Sequence, residues 1–158
     1  MLELARQRLG DGAELRLAHL SSPLPFPDGA FDDVIACLVL HYLEDWTAPL
    51  AELRRVLALG GRLIVVVDHP TVNKLVYPDA DYFATRKFSC EHTFSGQNAV
   101  WHRPLHAMTA AFTEAGFRIA VISEPSPAPG ASELFPDVLA KFPSGAFLCF
   151  LFFVLEAV

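Results

Sequence analysis

The chain has 158 residues, of which 12 are Lys or Arg and 18 are Asp or Glu, so its net charge at pH 7 is −6. This length suits one domain with a sizeable core. The basic residues form no cluster larger than Arg54–Arg55 and Arg86–Lys87. Nothing in the charge pattern favours nucleic acid, so we expect a small-molecule partner.

The sequence also argues against a membrane or secreted class. Its longest apolar run, Phe147–Leu155, has nine residues, far fewer than the roughly 20 that a spanning helix needs. No basic-then-apolar leader opens the sequence. The three cysteines, Cys37, Cys90 and Cys149, are odd in number and widely spaced, which argues against a disulfide framework. We expect a cytoplasmic protein with no membrane partner.

The histidines and cysteines do not recur at the spacings of a metal site. Cys90, Glu91 and His92 lie together in sequence but are too few to hold an ion. We expect no metal.

The segment from Phe31 to Asp68 is typical of a strand, a helix, a turn and a second strand in unbroken succession. Asp33–Leu38 is a short apolar run with β-branched residues, which favours a strand buried on both faces. Arg62–Asp68 is a second run of this kind. Together the two runs predict one parallel βαβ unit.

The helix of this unit is predicted from its apolar spacing and from its two ends. Thr47 is placed to cap the first turn. Gly60–Gly61 is placed to end the helix, because helices commonly end at a left-handed residue and glycine adopts that conformation most easily. One face of the helix is apolar and the other is charged. The apolar set is Leu50, Leu53, Val56 and Leu57, and the charged set is Glu52, Arg54 and Arg55.

Beyond the βαβ unit the chain continues with elements of both kinds, separated by glycine and proline. In chain order we predict an insertion rich in aromatic and polar residues at 69–104, a helix Leu105–Ala115 ended by Gly116, a strand Phe117–Ser123, a surface loop with four prolines at 124–136, and a buried central strand Phe147–Leu155.

The stretch PLPFPDGAFDDVIACLVLHYLED at residues 23–45, followed by LRRVLALGGRLIVVV at 53–67, resembles the middle of a class I S-adenosylmethionine-dependent methyltransferase of the bacterial small-molecule type. The family usually has proline before the two glycines, where this chain has Leu59. The resemblance covers essentially the whole chain and is strongest between residues 19 and 70. It implies an α/β fold, a Rossmann-like doubly wound sheet with the family's strand order 3-2-1-4-5-7-6.

The beginning of the family pattern is missing from the sequence. It consists of a first strand, a Gly-x-Gly-x-Gly loop, a helix and a second strand that ends in an acidic residue. MLELARQRLGDG at residues 1–12 resembles the helix that follows that second strand. We therefore expect an incomplete sheet that lacks the first two strands, in an N-terminally truncated, partial methyltransferase domain over residues 1–158. Residues 69–104 would form the lid over the substrate.

Without those strands, the family's third strand, Glu14–Ala18, has no neighbour. Adjacent strands lie about 4.8 Å apart, so two absent strands leave roughly 14 Å between this segment and Asp33–Leu38. We expect that the segment detaches, pairs elsewhere or meets a partner chain. The exposed sheet edge would favour a homo-oligomer or aggregation.

In a doubly wound sheet the ligand lies beyond the carboxyl ends of the strands, so the residues that follow each strand are the site candidates. His19 and Leu20 follow Glu14–Ala18, where the resemblance implies contact with the adenine of S-adenosylmethionine. The family commonly has Asp at the position of His19, and a neutral histidine can accept a hydrogen bond through only one ring nitrogen. A solvated loop histidine is the alternative.

Cys37 and Leu38 complete the predicted cofactor-binding residues. They end the Asp33–Leu38 strand, where the resemblance implies contact with the methionine part of the cofactor, largely through the backbone. A nucleophilic Cys37 lacks an activating partner in the sequence, so we expect its side chain to pack in the core.

Two histidines are the catalytic candidates. His41 follows the first predicted strand and could be a general base or line the methyl-transfer pocket, the alternative being packing on a helix surface. His69 follows Asp68 at the end of the second strand and could position or deprotonate an acceptor. The alternative is that Asp68 and His69 only cap the strand and satisfy the next turn.

Tyr82, Trp101 and His102 are the substrate-binding candidates. They lie in the insertion, where they could form an aromatic wall with a polar grip. Aromatic residues in a lid are as often plain packing.

The resemblance implies S-adenosylmethionine-dependent methyl transfer to an oxygen, nitrogen or carbon atom of a small-molecule acceptor. Much of the acceleration in such a reaction can come from positioning and water exclusion, so no fixed triad is required. The alternative is a non-catalytic remnant or interaction module that has lost cofactor binding. An in-frame Gly-x-Gly-x-Gly encoded upstream would favour the enzyme.

A nicotinamide-dependent Rossmann enzyme is a weaker hypothesis, because the sequence has neither its glycine loop nor a Tyr-x-x-x-Lys pair. Since the glycine-rich loop is missing, we expect the chain by itself to bind S-adenosylmethionine poorly or not at all.

Overall fold

The computed structural model describes residues 2–92, 96–139 and 149–158. Short 3₁₀ turns follow α1 and β1, at Gly10–Gly12 and Leu40–Tyr42. The helices are α1 (Leu2–Leu9), α2 (Thr47–Val56), α3 (Pro70–Val76), α4 (Leu105–Glu114), α5 (Ala131–Leu134) and α6 (Pro136–Leu139), and the strands are β1 (Phe31–Cys37), β2 (Leu57–Asp68), β3 (Arg86–His92), β4 (Gly96–His102), β5 (Phe117–Ser123) and β6 (Phe150–Ala157).

Four strands form one mixed sheet in the order β1-β2-β6-β5. β1 and β2 are parallel, and β6 runs antiparallel to both of its neighbours. In the family's numbering this order is 4-5-7-6, so the Rossmann-like α/β class, the parallel βαβ unit and the central place of the last strand are confirmed. The helix and strand predicted after residue 104 are also confirmed, as α4 and β5. Of the predicted last strand, Phe147 and Leu148 lie outside the described residues.

The hydrophobic core lies on one face of this sheet. β6 alternates between buried and partly exposed residues along its whole length, as a strand does when only one face is in the core. The rings of Phe112 on α4 and Phe153 on β6 meet edge to face, with centroids 5.0 Å apart. The cluster includes Leu63, Val65 and Val67 of β2, Leu151, Phe153 and Leu155 of β6, Leu50 and Leu53 of α2, and Met108 and Phe112 of α4.

The sequence prediction is wrong about the two glycines after α2. α2 passes directly into β2, so Gly60 and Gly61 lie within the strand and do not end the helix. The register between β1 and β2 shifts between Phe31 and Asp33, which makes a bulge at the glycines. Gly60 has φ +76°, and a Cβ on Gly61 would lie 2.9 Å from two backbone carbonyl oxygens. The bulge therefore requires glycine at both positions.

The first turn of α2 is capped by Asp45, not by the Thr47 side chain. The Thr47 N–H donates to Asp45 Oδ1 at 2.9 Å. This hydrogen bond lowers the pKa of Asp45, since it favours the carboxylate at a helix N-terminus.

Glu14–Ala18, expected as the family's third strand, has no regular secondary structure. Helix α1 before it has no buried residue. Of the three alternatives for this segment, the structure shows detachment from the sheet. β1 is consequently an edge strand, as expected.

Residues 69–104, expected as a lid, contain helix α3 and the antiparallel hairpin β3–β4. Residues 124–130 are exposed, as expected for a surface loop, and the short helix α5 follows them. In residues 2–92, 96–139 and 149–158, no helix is long and apolar enough to span a bilayer.

Arg55 ties the loop before β1 to helix α2. Its guanidinium donates to the carbonyl oxygens of Leu24 and Phe26, and to the carboxylates of Asp28 at 2.7 Å and Glu52 at 2.8 Å. Glu52 also accepts the Leu24 N–H at 2.8 Å. The hydrogen bonds from Arg55 and Leu24 lower the pKa of Glu52 to about 2. The charged face of α2 therefore holds the approach to the sheet in place.

Replacing Glu52 by glutamine is expected to flatten the acid dependence of stability. The pKa of Glu52 falls from 4.5 to about 2 in the folded chain, so the stability that its charge contributes is present above pH 4.5 and is lost as the pH falls toward 2. Thermal melts across this range measure the effect. Glu52→Gln should melt at a lower temperature than the parent at neutral pH and should lose less stability than the parent on acidification.

Glu133→Gln is the matched control, because Glu133 is an exposed carboxylate on α5. The melting temperature of this variant should depend on pH as that of the parent does. An unchanged acid profile in Glu52→Gln would contradict the role given to this carboxylate.

Candidate functional site

The carboxyl ends of β1, β2 and β5 meet the amino end of β6 at one edge of the sheet, which we call the rim. Leu38, His69 and Glu124 directly follow the three strands, and Cys149 precedes β6. Ligands of doubly wound sheets lie beyond this edge. The rim is therefore the place to look for the predicted site.

The chain leaves β1 through Leu38, which has a left-handed backbone with φ +52°. Its N–H donates to the carbonyl oxygen of Val66 at 2.8 Å. A positive φ is uncommon for leucine, and strained backbone of this kind concentrates at functional sites. The left-handed backbone of Leu38 is therefore a structural feature of a functional site, in addition to its position after β1.

His41 lies in the 3₁₀ turn Leu40–Tyr42 and is only 8% exposed. Its Nδ1 lies 3.6 Å from Oδ2 of Asp68, and its ring meets that of Tyr42 with centroids 4.4 Å apart. A carboxylate at this distance attracts a protonated imidazole. His41 does not lie on a helix surface, and it is paired with a carboxylate that solvent reaches.

His69 is 6% exposed and both of its ring nitrogens are engaged. Nδ1 accepts the Thr71 N–H at 3.2 Å, and Nε2 lies 2.8 Å from Oε1 of Glu124. An amide N–H can only donate, so the ring proton is on Nε2 and is donated to Glu124. The backbone N–H of His69 donates to the carbonyl oxygen of Cys149 at 2.9 Å. His69 therefore joins the rim segments after β2, after β5 and before β6.

Asp68 is the acidic centre of the rim. Burial raises the pKa of the Cys149 thiol, and the negative charge of Asp68 raises it further. A protonated, half-buried thiol is a poor nucleophile.

In the described part of the chain, no three His, Cys, Asp or Glu side chains are grouped as a metal site.

His19 lies in the turn after Glu14–Ala18 and is exposed, and Leu20 beside it is half-buried. The His19 Nδ1 accepts the Ser21 N–H at 3.3 Å, so a neutral ring carries its proton on Nε2. The other ring nitrogen, Nε2, is then a donor. The amino group of adenine is also a donor, so the two cannot form a hydrogen bond with each other. The geometry favours the loop-histidine alternative.

The expected core packing of Cys37 is wrong. Its side chain is exposed, because β1 directs Val34 and Ala36 toward the core and the alternate residues, Ile35 and Cys37, to the other face. The prediction assumed a strand buried on both faces, and β1 is buried on one.

The structure brings together two of the three substrate candidates. His102 is buried, its Nε2 lies 2.8 Å from the carbonyl oxygen of Tyr82, and the two rings have centroids 5.5 Å apart. Trp101 is the preceding residue of β4, so its side chain lies on the opposite face of the hairpin. There Lys87 Nζ lies 6.0 Å from the Trp101 ring centroid. The three residues do not form one wall.

Glu124 is a rim residue that the sequence analysis missed. It is the first residue after β5 and its carboxylate is bound to His69. The rule that selected residues after strands would also have selected Glu124 if it had been extended to Phe117–Ser123.

A cavity of about 420 Å³ lies between α2 and α4, away from the candidate residues. Arg103 lines it, held by the carbonyl oxygen of Glu44 at 2.6 Å and stacked 4.6 Å from the ring centroid of Trp46. Burial lowers the pKa of Arg103. None of the predicted site residues lines this cavity. The rim, where His41, His69, Asp68 and Glu124 lie together, therefore stays the candidate site.

We expect His69 to be the tautomer with its proton on Nε2 near neutral pH, because the Thr71 amide occupies Nδ1. Long-range ¹H–¹⁵N correlation spectra distinguish the two ring nitrogens. Glu124→Gln should keep this tautomer, since its side-chain oxygen can still accept. His106, which is exposed on α4, serves as the internal reference with both tautomers populated. A proton found on Nδ1 of His69 would contradict the assigned hydrogen bonds.

Comparison with known proteins gives both sequence and structural matches. Residues 1–65 match the protein family described as "Methyltransferase domain". The demethylmenaquinone methyltransferase of Thermus thermophilus is 44% identical over 68 residues, which are 42% of this chain and 31% of that protein. The chain spans about a third of the length of the curated relatives it matches.

Solved structures share the fold over nearly the whole chain. An S-adenosylmethionine-dependent methyltransferase from Mesorhizobium loti superimposes with a TM-score of 0.77 at 22% identity, covering 97% of this chain and 74% of that chain. The 1,6-didemethyltoxoflavin-N1-methyltransferase of Burkholderia thailandensis, with 1,6-didemethyltoxoflavin and S-adenosylhomocysteine bound, gives a TM-score of 0.62 at 15% identity and covers 99% of this chain and 56% of that chain. At these identities the likeness shows the Rossmann-like fold.

Proposed function

We propose that the chain is a class I S-adenosylmethionine-dependent methyltransferase and that it takes part in methyl transfer to a small aromatic acceptor that loses a proton in the reaction. The observation that carries the proposal is the pair at the rim, where the buried His41 faces the carboxylate of Asp68 at 3.6 Å. A histidine held in this way is suited to general base catalysis.

The residues of this chain fit one end of the cofactor. Cys37 ends β1 and Leu38 follows it, and within the described residues no strand pairs with the outer side of β1, where backbone donors and acceptors can meet a ligand. These two residues would hold the methionine part through main-chain contacts, with the left-handed Leu38 setting the path of the chain. The adenosine end does not fit, because the sequence has no Gly-x-Gly-x-Gly and His19 presents a donor toward solvent. We propose that adenosine is held by groups other than these.

When bound, S-adenosylmethionine supplies an electrophilic methyl group on a positively charged sulfur. An acceptor that takes this group through a hydroxyl, an amine or a ring carbon releases a proton, and His41 is placed to receive it. The Asp68 carboxylate would orient the imidazole and stabilise its protonated form. The burial of His41 limits the access of water to the transferred proton.

His69 is suited to positioning and not to proton transfer. Both of its ring nitrogens are engaged, by Thr71 and Glu124, so a proton could be accepted only after the Thr71 hydrogen bond breaks. By holding the segment after β2, His69 fixes the preceding residue, Asp68, beside His41. We therefore propose His41 as the base and His69 as its support.

An aromatic acceptor agrees with the rings near the rim and with the name of the Thermus relative. Strand β4 contacts the 3₁₀ turn that carries His41, and this contact supports the proposal that the hairpin of the insertion 69–104 acts as a lid. Tyr82 and His102, on one side of this lid, would contact the acceptor. Trp101 lies on the other side and would reach the acceptor only after the hairpin rearranges.

A non-catalytic interaction module is the second candidate. The observation that favours it is the segment Glu14–Ala18, which follows α1 and makes no strand pairing. A protein of this class would keep the core of the fold and lack cofactor affinity.

Calorimetric titration with S-adenosylhomocysteine separates the two candidates. We expect this chain to bind weakly or not at all, because the groups that hold adenosine are not provided. A version with a βαβ unit and a glycine-rich loop added before residue 1 should bind in the micromolar range. Micromolar binding by this chain would mean that its cofactor site is built in another way, and binding by neither version would favour the interaction module.

In the version that binds, His41→Gln is expected to lower kcat by about 100- to 10,000-fold, the usual contribution of a general base. Affinity for S-adenosylhomocysteine should stay unchanged, because His41 is assigned to the acceptor's proton. His106→Gln, an exposed substitution on α4, is the control and should keep the parent activity. An unchanged kcat in His41→Gln, or equal losses in the two variants, would contradict the assignment.

A further inference from the structure

The face of the sheet opposite the core carries a regular pattern of side chains. The strand registers place these residues in three rows that cross β1, β2, β6 and β5 in that order. The rows are Asp33, Arg62, Glu156 and Arg118; then Ile35, Ile64, Val154 and Val121; then Cys37, Val66, Phe152 and Ser123. We call this surface the open face.

The middle row of the open face is aliphatic and accessible to solvent. Ile35 is 67% exposed and Val121 is 48% exposed, and Ile64 and Val154 between them are half-buried. On the core face of the same strands, Leu63, Val65, Phe153 and Leu155 are fully buried. An apolar row of this kind, in a sheet whose other face is packed, marks an interaction surface.

The first row is a line of alternating charge. Arg62 donates to both carboxylate oxygens of Asp33, at 2.7 and 2.8 Å, and Arg118 is paired with Glu156. Arg62 also lies beside Glu156 in the register. The order across the sheet is therefore negative, positive, negative, positive.

A row with this order is complementary to its own copy. Rotation by 180° about an axis that runs along the strands, between β2 and β6, places β1 of one copy over β5 of the other and β2 over β6. Asp33 then faces Arg118 of the second copy, and Arg62 faces Glu156. The same rotation places Ile35 over Val121 and Ile64 over Val154. Aligned packing of two sheets is a common arrangement, with a spacing of about 10 Å.

We infer that the open face is covered by a second copy of this chain in a two-fold, face-to-face dimer. The charge row selects this occupant, because every charge and every aliphatic residue of the two rows meets a complementary residue of the copy. A two-fold interface uses the same patch on both subunits, so self-complementarity is the property that it requires. The α1 helix of the same chain is a poorer candidate, since it has no buried residue.

Sedimentation equilibrium of the full chain over a wide concentration range tests this inference. We expect a reversible dimer, and we expect Ile35→Lys and Arg118→Glu each to raise its dissociation constant by at least about tenfold, because each places a charge against an aliphatic or a like-charged residue twice per dimer. Leu17→Lys is the matched control, because Leu17 is 89% exposed and lies outside the sheet. Circular dichroism confirms that each variant is folded.

A variant with all four charges reversed gives a second, independent readout. Asp33→Arg, Arg62→Asp, Glu156→Arg and Arg118→Asp together keep the ion pairs within each sheet and the match between identical copies. This variant should form its own dimer but should not mix with the parent chain, since like charges would then face each other. A monomer at every concentration, a dimer insensitive to Ile35→Lys, or free mixing of the two charge patterns would each overturn the inference. The first of these results includes the case in which α1 or another protein covers the face.

Discussion

The antiparallel pairing of β2 with β6 is the interaction on which the rest of the structure depends. It runs without a register shift from Arg62 opposite Glu156 to Asp68 opposite Phe150. β1 attaches to one side of this pair and β5 to the other, and helices α2 and α4 pack on its buried face. Truncation of a buried side chain in this pair would leave a cavity in contact with both helices. The free energy of unfolding should therefore fall severalfold more than after a substitution on the surface.

The same pairing also builds the rim. Because β6 is antiparallel to β2, its first residues lie beside the last residues of β2, which brings the carbonyl oxygen of Cys149 to the N–H of His69 at 2.9 Å. β5, antiparallel to β6, ends at the same edge and supplies Glu124 to the other side of His69. One histidine thus joins three strand ends, through its backbone N–H and its side chain, and it follows directly after Asp68, which lies next to His41.

The sequence predicts the elements of this chain well where the apolar pattern is long and glycine marks the end, as at α4 and β5. The prediction fails where the structure of a residue depends on the strand or helix packed beside it. The glycines 60 and 61 fit a helix end as well as a bulge, and only the register of β1 against β2 decides between them. The exposure of Cys37 and the separation of Trp101 from His102 have one cause: alternation along a strand decides which face a residue takes. For the rim, position after a strand identified His41 and His69. The pairing of His69 with Glu124 could not be predicted in this way, because it joins residues 55 positions apart in the sequence.

The charge of the rim bears on the kind of acceptor that it would receive. The ionisable groups beside the two histidines are carboxylates, Asp68 and Glu124, in a chain whose net charge is −6. Under the proposed function, such a site would attract the positive sulfonium of the cofactor and the imidazolium that would form when His41 takes a proton. It repels an acceptor that is already an anion, although an anion would be the better nucleophile. Under the proposed function, these charges favour an acceptor that arrives neutral and gives up its proton within the site.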